Sequence, residues 1–254
     1  MARPRRINLI GGVCHVTQQC HSKSFSLARD SIKQKYLQLA YDIAKKDPIE
    51  FISFSVEDSH PHWVLKLPDH LDYTISQFMH KLNTRFGKWF NKTYHRKGSF
   101  WASRCSTTWV EPGSPEFFQL TRYVDRNPIE RQSNVINPED YKWGSFHWLF
   151  NPEAPFPVTF LKYLYKSHPQ KSETEAWQWY RKFVQQDDLN KNRKEDLFKH
   201  MFPGLFVGSE RFKQKAKEIY TASWKNLQVR GLSWIKVVRD YSTLFLPMAQ
   251  LTAS

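Results

Sequence analysis

Acidic residues are scarce in this sequence relative to basic ones. Its 254 residues include 24 Asp and Glu against 38 Lys and Arg, which gives a formal net charge of +14 at pH 7. An excess of this size favours a polyanionic partner, and nucleic acid is the usual one. The alternative is a basic protein whose charge serves solubility alone, and charge by itself does not separate the two.

Long hydrophobic runs are missing as well. No segment approaches the roughly 20 consecutive apolar residues that a membrane-spanning helix requires, which excludes an integral membrane protein. The basic segment 1–6 is not followed by an apolar stretch, so we expect no secretory signal. Hydrophobic residues still make up 40% of the chain, which provides for a core and excludes a wholly disordered protein.

Cysteine is rare. Cys14, Cys20 and Cys105 are an odd number of thiols without the spacing of zinc ligands, so we expect reduced cysteines in a cytoplasmic protein. Aromatic residues, by contrast, make up 16% of the chain. Most of them must lie in the core, but aromatic rings beside basic residues also suit single-stranded nucleic acid, whose bases stack on flat rings.

The spacing of apolar residues predicts an α+β domain with an antiparallel sheet. The expected strands are 9–18, 49–57, 60–67 and 100–111, and the expected helices are 30–46, 72–95 and 115 to about 127, where Pro128 should end the helix. Prolines after residue 150 mark a break. We divide the chain there into a domain over 1–150 and a helical C-terminal extension over 151–254, with helices at 173–186, 192–200, 208–222 and 230–246.

Basic residues cluster in two places that could contact phosphates. The predicted helix 72–95 carries a basic stripe, uninterrupted by an acid from 81 to 97, that consists of Lys81, Arg85, Lys88 and Lys92. Such a stripe is usually a solvated helix face, but in a chain this basic phosphate contact is an equal alternative. A second group, Arg3, Arg5 and Arg6, forms an arm that could enter a groove or follow a backbone.

Two further patterns contain candidate metal ligands and a candidate nucleophile. On a strand, His60 and His62 would point to the same face, where both imidazoles could bind one divalent ion. The alternative is a pair of surface or packing histidines, and Pro61 suits only the edge, the end or a bulge of a strand. On the helix after residue 115, Tyr123 and Asn127 lie four apart on one side. Tyr123 is a candidate nucleophile and Asn127 a candidate metal ligand, although a helical tyrosine is more often a packing residue.

Taken in order, these motifs resemble the single-tyrosine HUH transposases, and most of all the REP-associated tyrosine transposases of the IS200-like family. The resemblance covers about residues 1–150, and its most specific part is the heptapeptide RYVDRNP at 122–128. The other matching segments are 1–7, 12–17, the histidine pair, 98–104 and 140–145, and 204–212 resembles a segment in the C-terminal extension of longer members.

The resemblance implies a ferredoxin-like antiparallel sheet, with the histidine pair on a central strand and the tyrosine on a helix beside it. It further implies that His60, His62 and Asn127 bind Mg²⁺ or Mn²⁺. Tyr123 would attack a phosphodiester of single-stranded DNA, leaving a 5′-phosphotyrosine and a free 3′-hydroxyl, and the reverse step would rejoin the strand.

The implied partner is single-stranded or hairpin DNA, of the REP type, and not a membrane. We expect the basic stripe, the N-terminal arm and Arg104 to contact it, with Trp101 either stacking on bases or lying in the core. We expect a monomer or homodimer that is cytoplasmic and associated with the bacterial nucleoid.

The segment 57–61 departs from the family, which usually has Met-Pro-Asn before the first histidine and an aliphatic residue between the two. Here Glu57-Asp58-Ser59 precedes His60, and Asp58 is either an additional oxygen ligand or a turn residue. The departure supports an alternative function, a domesticated protein that binds hairpin DNA or RNA without cutting it. A third possibility is a metal-dependent phosphoesterase that uses water as its nucleophile.

Overall fold

The computed structural model describes residues 8–69, 73–131, 135–151, 153–186 and 206–229. Within these residues the strands are β1 (Val13–Thr17), β2 (Glu50–Val56), β3 (Pro61–Lys66), β4 (Ser106–Val110) and β5 (Phe206–Val207). The helices are α1 (Asp30–Ala44), α2 (Ile75–Thr93), α3 (Pro115–Arg131), α4 (Ser145–Trp148), α5 (Phe160–Ser167), α6 (Glu173–Gln185) and α7 (Glu210–Val229). The predicted arginine arm at 3–6 lies outside the described residues.

The strands form one sheet in the order β2-β3-β1-β4-β5. The first four pair antiparallel, and β5 joins β4 in parallel. The chain order β1-α1-β2-β3-α2-β4 with this strand order is the ferredoxin-like arrangement. The predicted fold class, an α+β domain with a mainly antiparallel sheet, is therefore confirmed.

The two faces of the sheet bury different sets of helices, because successive residues of a strand point to opposite faces. On β1, Cys14 and Val16 point to the face that packs against α1, α2 and the apolar side of α7. Val13 and Val64 point to the other face, which packs against α3, α5 and α6. Two histidines share this second face, so the chemistry predicted for α3 and for the histidine pair falls on one side of the sheet.

Helix α2 begins with a capping box, which fixes its start. The Thr74 side chain accepts from the backbone N–H of Gln77, and the Gln77 side chain accepts from the backbone N–H of Thr74. The buried residues recur at three- and four-residue spacing and form a single stripe: Ile75, Phe78, Met79, Leu82, Phe86 and Phe90. The helix predicted over 72–95 is confirmed with slightly closer ends.

Three predicted boundaries in the first 150 residues are wrong, and the first is the start of β1, which lies at Val13 and not at residue 9. The strand expected from residue 100 begins only at Ser106, and before it Trp101 makes one isolated bridge to Cys20 and is buried in the core. Helix α3 does not end before Pro128 but continues to Arg131. A proline in a helix removes one backbone hydrogen bond, and the burial of α3 on nearly all sides from Leu120 to Pro128 outweighs that loss.

The described part of the extension packs on the first 150 residues. Helix α6 confirms the prediction at 173–186. Helix α7 confirms a helix at 208–222 but continues to Val229, while 192–200 and 230–246 lie outside the described residues. The segment around β5 is fixed to the end of β4, where the backbone N–H of Ser209 donates to Glu111 (2.7 Å). The division of the chain at residue 150 stays a prediction. None of the described helices is both long and apolar enough to cross a membrane.

Candidate active site

The histidine pair lies at the start of β3, an interior strand of the sheet. Pro61 is the first residue of β3, a position where its missing N–H is tolerated. The His60 and His62 rings stand edge to face with centroids 4.7 Å apart, and His62 is buried. The structure therefore brings the two imidazoles together, as the spacing predicts.

The turn before the histidines is held from three sides. Asp58 forms an ion pair with the buried ammonium of Lys33 (2.6 Å). Its carbonyl accepts from Leu27 (2.8 Å), and the carbonyl of Ser59 accepts from Cys20 (2.9 Å). Of the two alternatives for Asp58, the turn residue is the one that these contacts describe. The unusual segment 57–61 is thus a firmly anchored turn.

His15 is a further member of the site, and sequence reasoning missed it. Its Nε2 lies 2.9 Å from Nδ1 of His62, and the two rings stack with centroids 5.2 Å apart. Burial, followed by the charge of His60, lowers the pKa of His15 to about 4, so its imidazole is neutral at physiological pH. The available signal was the alternation of β1, which puts His15 two residues from the position opposite His62 and on the same face.

Tyr123 reaches this histidine cluster from α3. Its ring stands perpendicular to that of His62, with centroids 5.5 Å apart, and it is 5% exposed. One helical turn further, Asn127 is completely buried, and its amide oxygen and nitrogen make no hydrogen bond with residues that the structure describes. A buried amide in this situation is rare, and it suggests that Asn127 serves a ligand.

The donor set suits a hard divalent ion. Two imidazoles and one amide oxygen leave positions for phosphate and water, as Mg²⁺ and Mn²⁺ require. Because His15 contacts Nδ1 of His62, a metal would bind at Nε2 of that ring. Over the described ranges, no group of three or more His, Cys, Asp or Glu side chains is arranged to hold a metal. The candidate set of His60, His62 and Asn127 is not a group of that kind, because its third expected ligand is an amide.

The face of α3 away from Tyr123 carries a buried carboxyl group. Asp125 accepts from the hydroxyl of Tyr180 at 2.7 Å and from the hydroxyls of Ser53 and Ser145 at 3.2 Å. Burial raises the pKa of Asp125 to about 7, although these donors act in the opposite direction. The group ties α3 to β2, α4 and α6, which sequence reasoning also missed.

The basic stripe lies on the other side of the sheet from this site. Arg85, Lys88 and Lys92 are exposed on α2, whose apolar side packs against the face opposite α3. Lys81 differs because it forms an ion pair with Asp47 (2.7 Å) and lies over the Tyr73 ring. The stripe is therefore not part of the cluster around Tyr123.

Arg104 is exposed in the segment before β4. Trp101, three residues earlier, takes the core position that was one of its two expected alternatives.

Comparisons with known proteins match the part of the chain that contains these groups. Residues 13–127 match a family model described as "Transposase IS200 like". A solved REP-associated tyrosine transposase bound to a REP hairpin is similar at 19% identity, covering 59% of this chain and 85% of that chain, with a TM-score of 0.48. A putative transposase from Deinococcus radiodurans is similar at 17% identity, covering 52% and 98%, with a TM-score of 0.36. No curated protein sequence matches the chain.

Proposed function

Residues 13–127 form a domain of the IS200-like transposase family, and on this premise we propose that the protein nicks and rejoins single-stranded hairpin DNA, with Tyr123 as the nucleophile. The observation that carries the proposal is the contact between Tyr123 on α3 and His62 on β3. It places the phenol of Tyr123 in one cluster with the imidazoles of His60 and His62 and with His15, which contacts His62.

His60, His62 and Asn127 are the residues that would hold Mg²⁺ or Mn²⁺. The buried amide of Asn127 supports this assignment, because a metal would satisfy its carbonyl oxygen. When bound, the ion supplies positive charge that polarises the phosphate and stabilises the charge developing on it. His15 orients His62 through Nδ1, as outer-shell partners of ligating histidines commonly do.

The reaction exchanges one phosphate ester for another. The phenolic oxygen of Tyr123 attacks the phosphorus of a phosphodiester and its proton passes to water. The bond from phosphorus to the 3′-oxygen breaks, and that oxygen takes a proton from water. The products are a 5′-phosphotyrosine and a free 3′-hydroxyl, so the reverse attack by a 3′-hydroxyl restores the strand without ATP. Tyr123 is 5% exposed, so only a small part of this residue is open to DNA in the structure.

The basic stripe and Arg104 are proposed to hold DNA phosphates, together with the arm Arg3, Arg5 and Arg6. Since the stripe lies on the opposite side of the sheet from Tyr123, it would grip DNA at a distance from the reacting phosphate. Hairpin DNA that contacts both the stripe and Tyr123 would have to extend past the edge of the sheet. A monomer or homodimer, located in the cytoplasm with the nucleoid, stays the prediction for assembly and location.

The test is a covalent-adduct assay on single-stranded hairpin DNA with Mg²⁺ or Mn²⁺. We expect the wild type to form a protein–DNA adduct that resists denaturation, and Tyr123→Phe to form none while retaining DNA affinity. An equal amount of adduct with Tyr123→Phe would eliminate Tyr123 as the nucleophile. Cleavage without any adduct, retained in Tyr123→Phe and lost in His62→Ala, would instead identify a phosphoesterase that uses water.

A second candidate function is a hairpin-binding protein that does not cut DNA, which the burial of Tyr123 favours. It predicts tight, salt-dependent binding without an adduct, and binding that is unaffected when His60 and His62 are replaced by alanine. The two functions therefore separate in a single experiment.

A further inference from the structure

Helix α6 packs directly against the helix that carries Tyr123, although it lies 46 residues beyond the last residue of the matched family domain at 127. The two helices share one buried cluster on the second face of the sheet. Their contact includes more than apolar packing, because four polar side chains of this region bridge the helices or their ends.

The first bridge joins Tyr180 of α6 to Asp125 of α3. The Tyr180 hydroxyl donates to Oδ2 of Asp125 at 2.7 Å, and both residues are buried. The other oxygen of Asp125 accepts from Ser53 of β2 and from Ser145 of α4. One carboxyl group thus holds α3 to the sheet on one side and to α6 on the other.

The second bridge caps the C-terminal end of α6. Arg126 donates to the carbonyl oxygens of Val184 (2.6 Å) and Gln186 (2.9 Å), and Arg122 also donates to Gln186. The Arg122 guanidinium lies over the Phe183 ring, 4.5 Å from its centroid. Carbonyls at a helix C-terminus lack partners within the helix and attract positive charge, so buried guanidinium groups suit them.

We call the three residues of α3 that contact α6 the clamp: Arg122, Asp125 and Arg126. All lie within three positions of Tyr123, with Arg126 about 60° and Arg122 about 100° around the helix from it. At about 100° per residue, Asp125 stands about 200° around the helix from Tyr123 and from Asn127. The contacts with α6 thus oppose rotation of α3 while the Tyr123 ring stays in contact with His62. A rotation of α3 would move the Tyr123 hydroxyl and the Asn127 amide together.

We propose that α6 is a positioning element of the active site: through Tyr180 and the C-terminal carbonyls of α6 it holds Asp125, Arg122 and Arg126, and thereby the angle at which α3 presents Tyr123. The proposal rests on the nucleophilic role of Tyr123. It implies that α6, which lies outside the matched residues 13–127, is needed for the full rate of the chemical step.

The decisive variant is Tyr180→Phe, which removes one hydroxyl and keeps the ring. Its matched control is Tyr163→Phe, which removes a hydroxyl from α5, where the ring packs against Phe117 of α3. Two quantities are measured on the full chain: the single-turnover rate constant of adduct formation at saturating DNA and Mn²⁺, and the hydrogen–deuterium exchange of the α3 amides without DNA.

We expect Tyr180→Phe to lower the rate constant about 10- to 100-fold, the size of effect that misplaced reactive groups produce, with unchanged adduct amplitude and DNA affinity. A loss of folded protein would lower the amplitude and leave the rate constant unchanged. We also expect faster exchange in α3, and neither effect in Tyr163→Phe. Because Tyr180 acts through Asp125, the double variant with Asp125→Asn should be no slower than the slower single variant.

The proposal is overturned if Tyr180→Phe keeps the wild-type rate constant, if it lowers the amplitude only, or if α3 exchanges as in the wild type. A wild type that forms no adduct, combined with faster α3 exchange in Tyr180→Phe, would instead refute the nucleophilic role of Tyr123. In that case the clamp itself would stand.

Discussion

The Nε2 atom of His15 lies 2.9 Å from Nδ1 of His62, on the same face of the sheet as the contact between His62 and Tyr123. The contact fixes which nitrogen of His62 points toward the candidate metal site. A neutral His15, whose pKa is lowered to about 4, can accept the Nδ1–H of His62 and leave Nε2 as the ligating atom.

Replacing His15 should weaken metal binding without removing a ligand. We expect His15→Phe to raise the Kd for Mn²⁺ about 10- to 100-fold, the usual effect of losing an outer-shell partner. The measurement is a Mn²⁺ titration followed by electron paramagnetic resonance. His21→Phe, a change at an exposed histidine of a nearby turn, is the control, and equal Kd values for both variants would contradict the role of His15.

Asp125 should make the stability of the protein depend on pH. Its pKa is 3.8 in the unfolded chain and is raised by burial to about 7 in the folded one. Between these values the folded state holds a proton that the unfolded state has lost, so the group stabilises the fold fully below pH 3.8 and this contribution disappears as pH rises through 7. The expected slope is about −1.4 kcal/mol of unfolding free energy per pH unit.

The measurement is chemical denaturation at several pH values in the presence of a chelator, for the wild type and for Asp125→Asn. The difference in unfolding free energy between the two isolates the slope of Asp125 from those of other groups. A pH-independent difference would mean that Asp125 is ionised in the folded protein throughout this range.

The three thiols should be unreactive in the native protein. Cys14, Cys20 and Cys105 are all buried, and burial raises the pKa of Cys20 to about 12. Because the thiolate is the reactive species, we expect no labelling by iodoacetamide at mildly alkaline pH until denaturant is added, after which three labels appear by mass spectrometry. Rapid labelling of Cys20 in the native protein would show that this part of the core opens readily.

The members of the basic stripe should contribute unequally to DNA binding. Lys81 is paired with Asp47, whereas Lys88 is exposed on the same helix. We expect Lys88→Ala to weaken the binding of single-stranded DNA and to reduce the slope of log Kd against log salt concentration by about 0.7 per lost phosphate contact. Lys81→Ala should have a smaller effect on both quantities. The measurement is the Kd at several salt concentrations, with Lys166→Ala on α5 as the control. Equal losses for all three lysines would contradict a defined phosphate surface.

The parts of the fold that the sequence predicts are those carried by local periodicity. The apolar stripe from Ile75 to Phe90 predicts α2, and the alternation around Trp63 predicts β3 and the face that His62 occupies. The continuation of α3 through Pro128 was not predictable in this way, since it depends on burial by elements far along the chain.

The contacts that the sequence did not predict join residues that are distant along the chain. His15 gave no signal of its own because a single histidine in an apolar strand is usually a packing residue. Asp47 lies 34 positions before Lys81, so nothing in the local sequence indicates that Lys81 forms an ion pair. In the clamp on α3, Arg126 donates to carbonyls 58 and 60 residues away. Every residue has a backbone carbonyl, so the residue types do not indicate which carbonyls accept.

Strand β5 has a consequence for self-association. Without it, β4 would present a row of open backbone donors and acceptors, the kind of edge on which a second chain can add a strand. Phe206 and Val207 cover the C-terminal end of that edge, where they pair with Trp109 and Val110, and this two-residue strand is too short to serve as a template itself. Strand addition at this end of β4 is therefore opposed by a segment that lies almost one hundred residues further along the sequence.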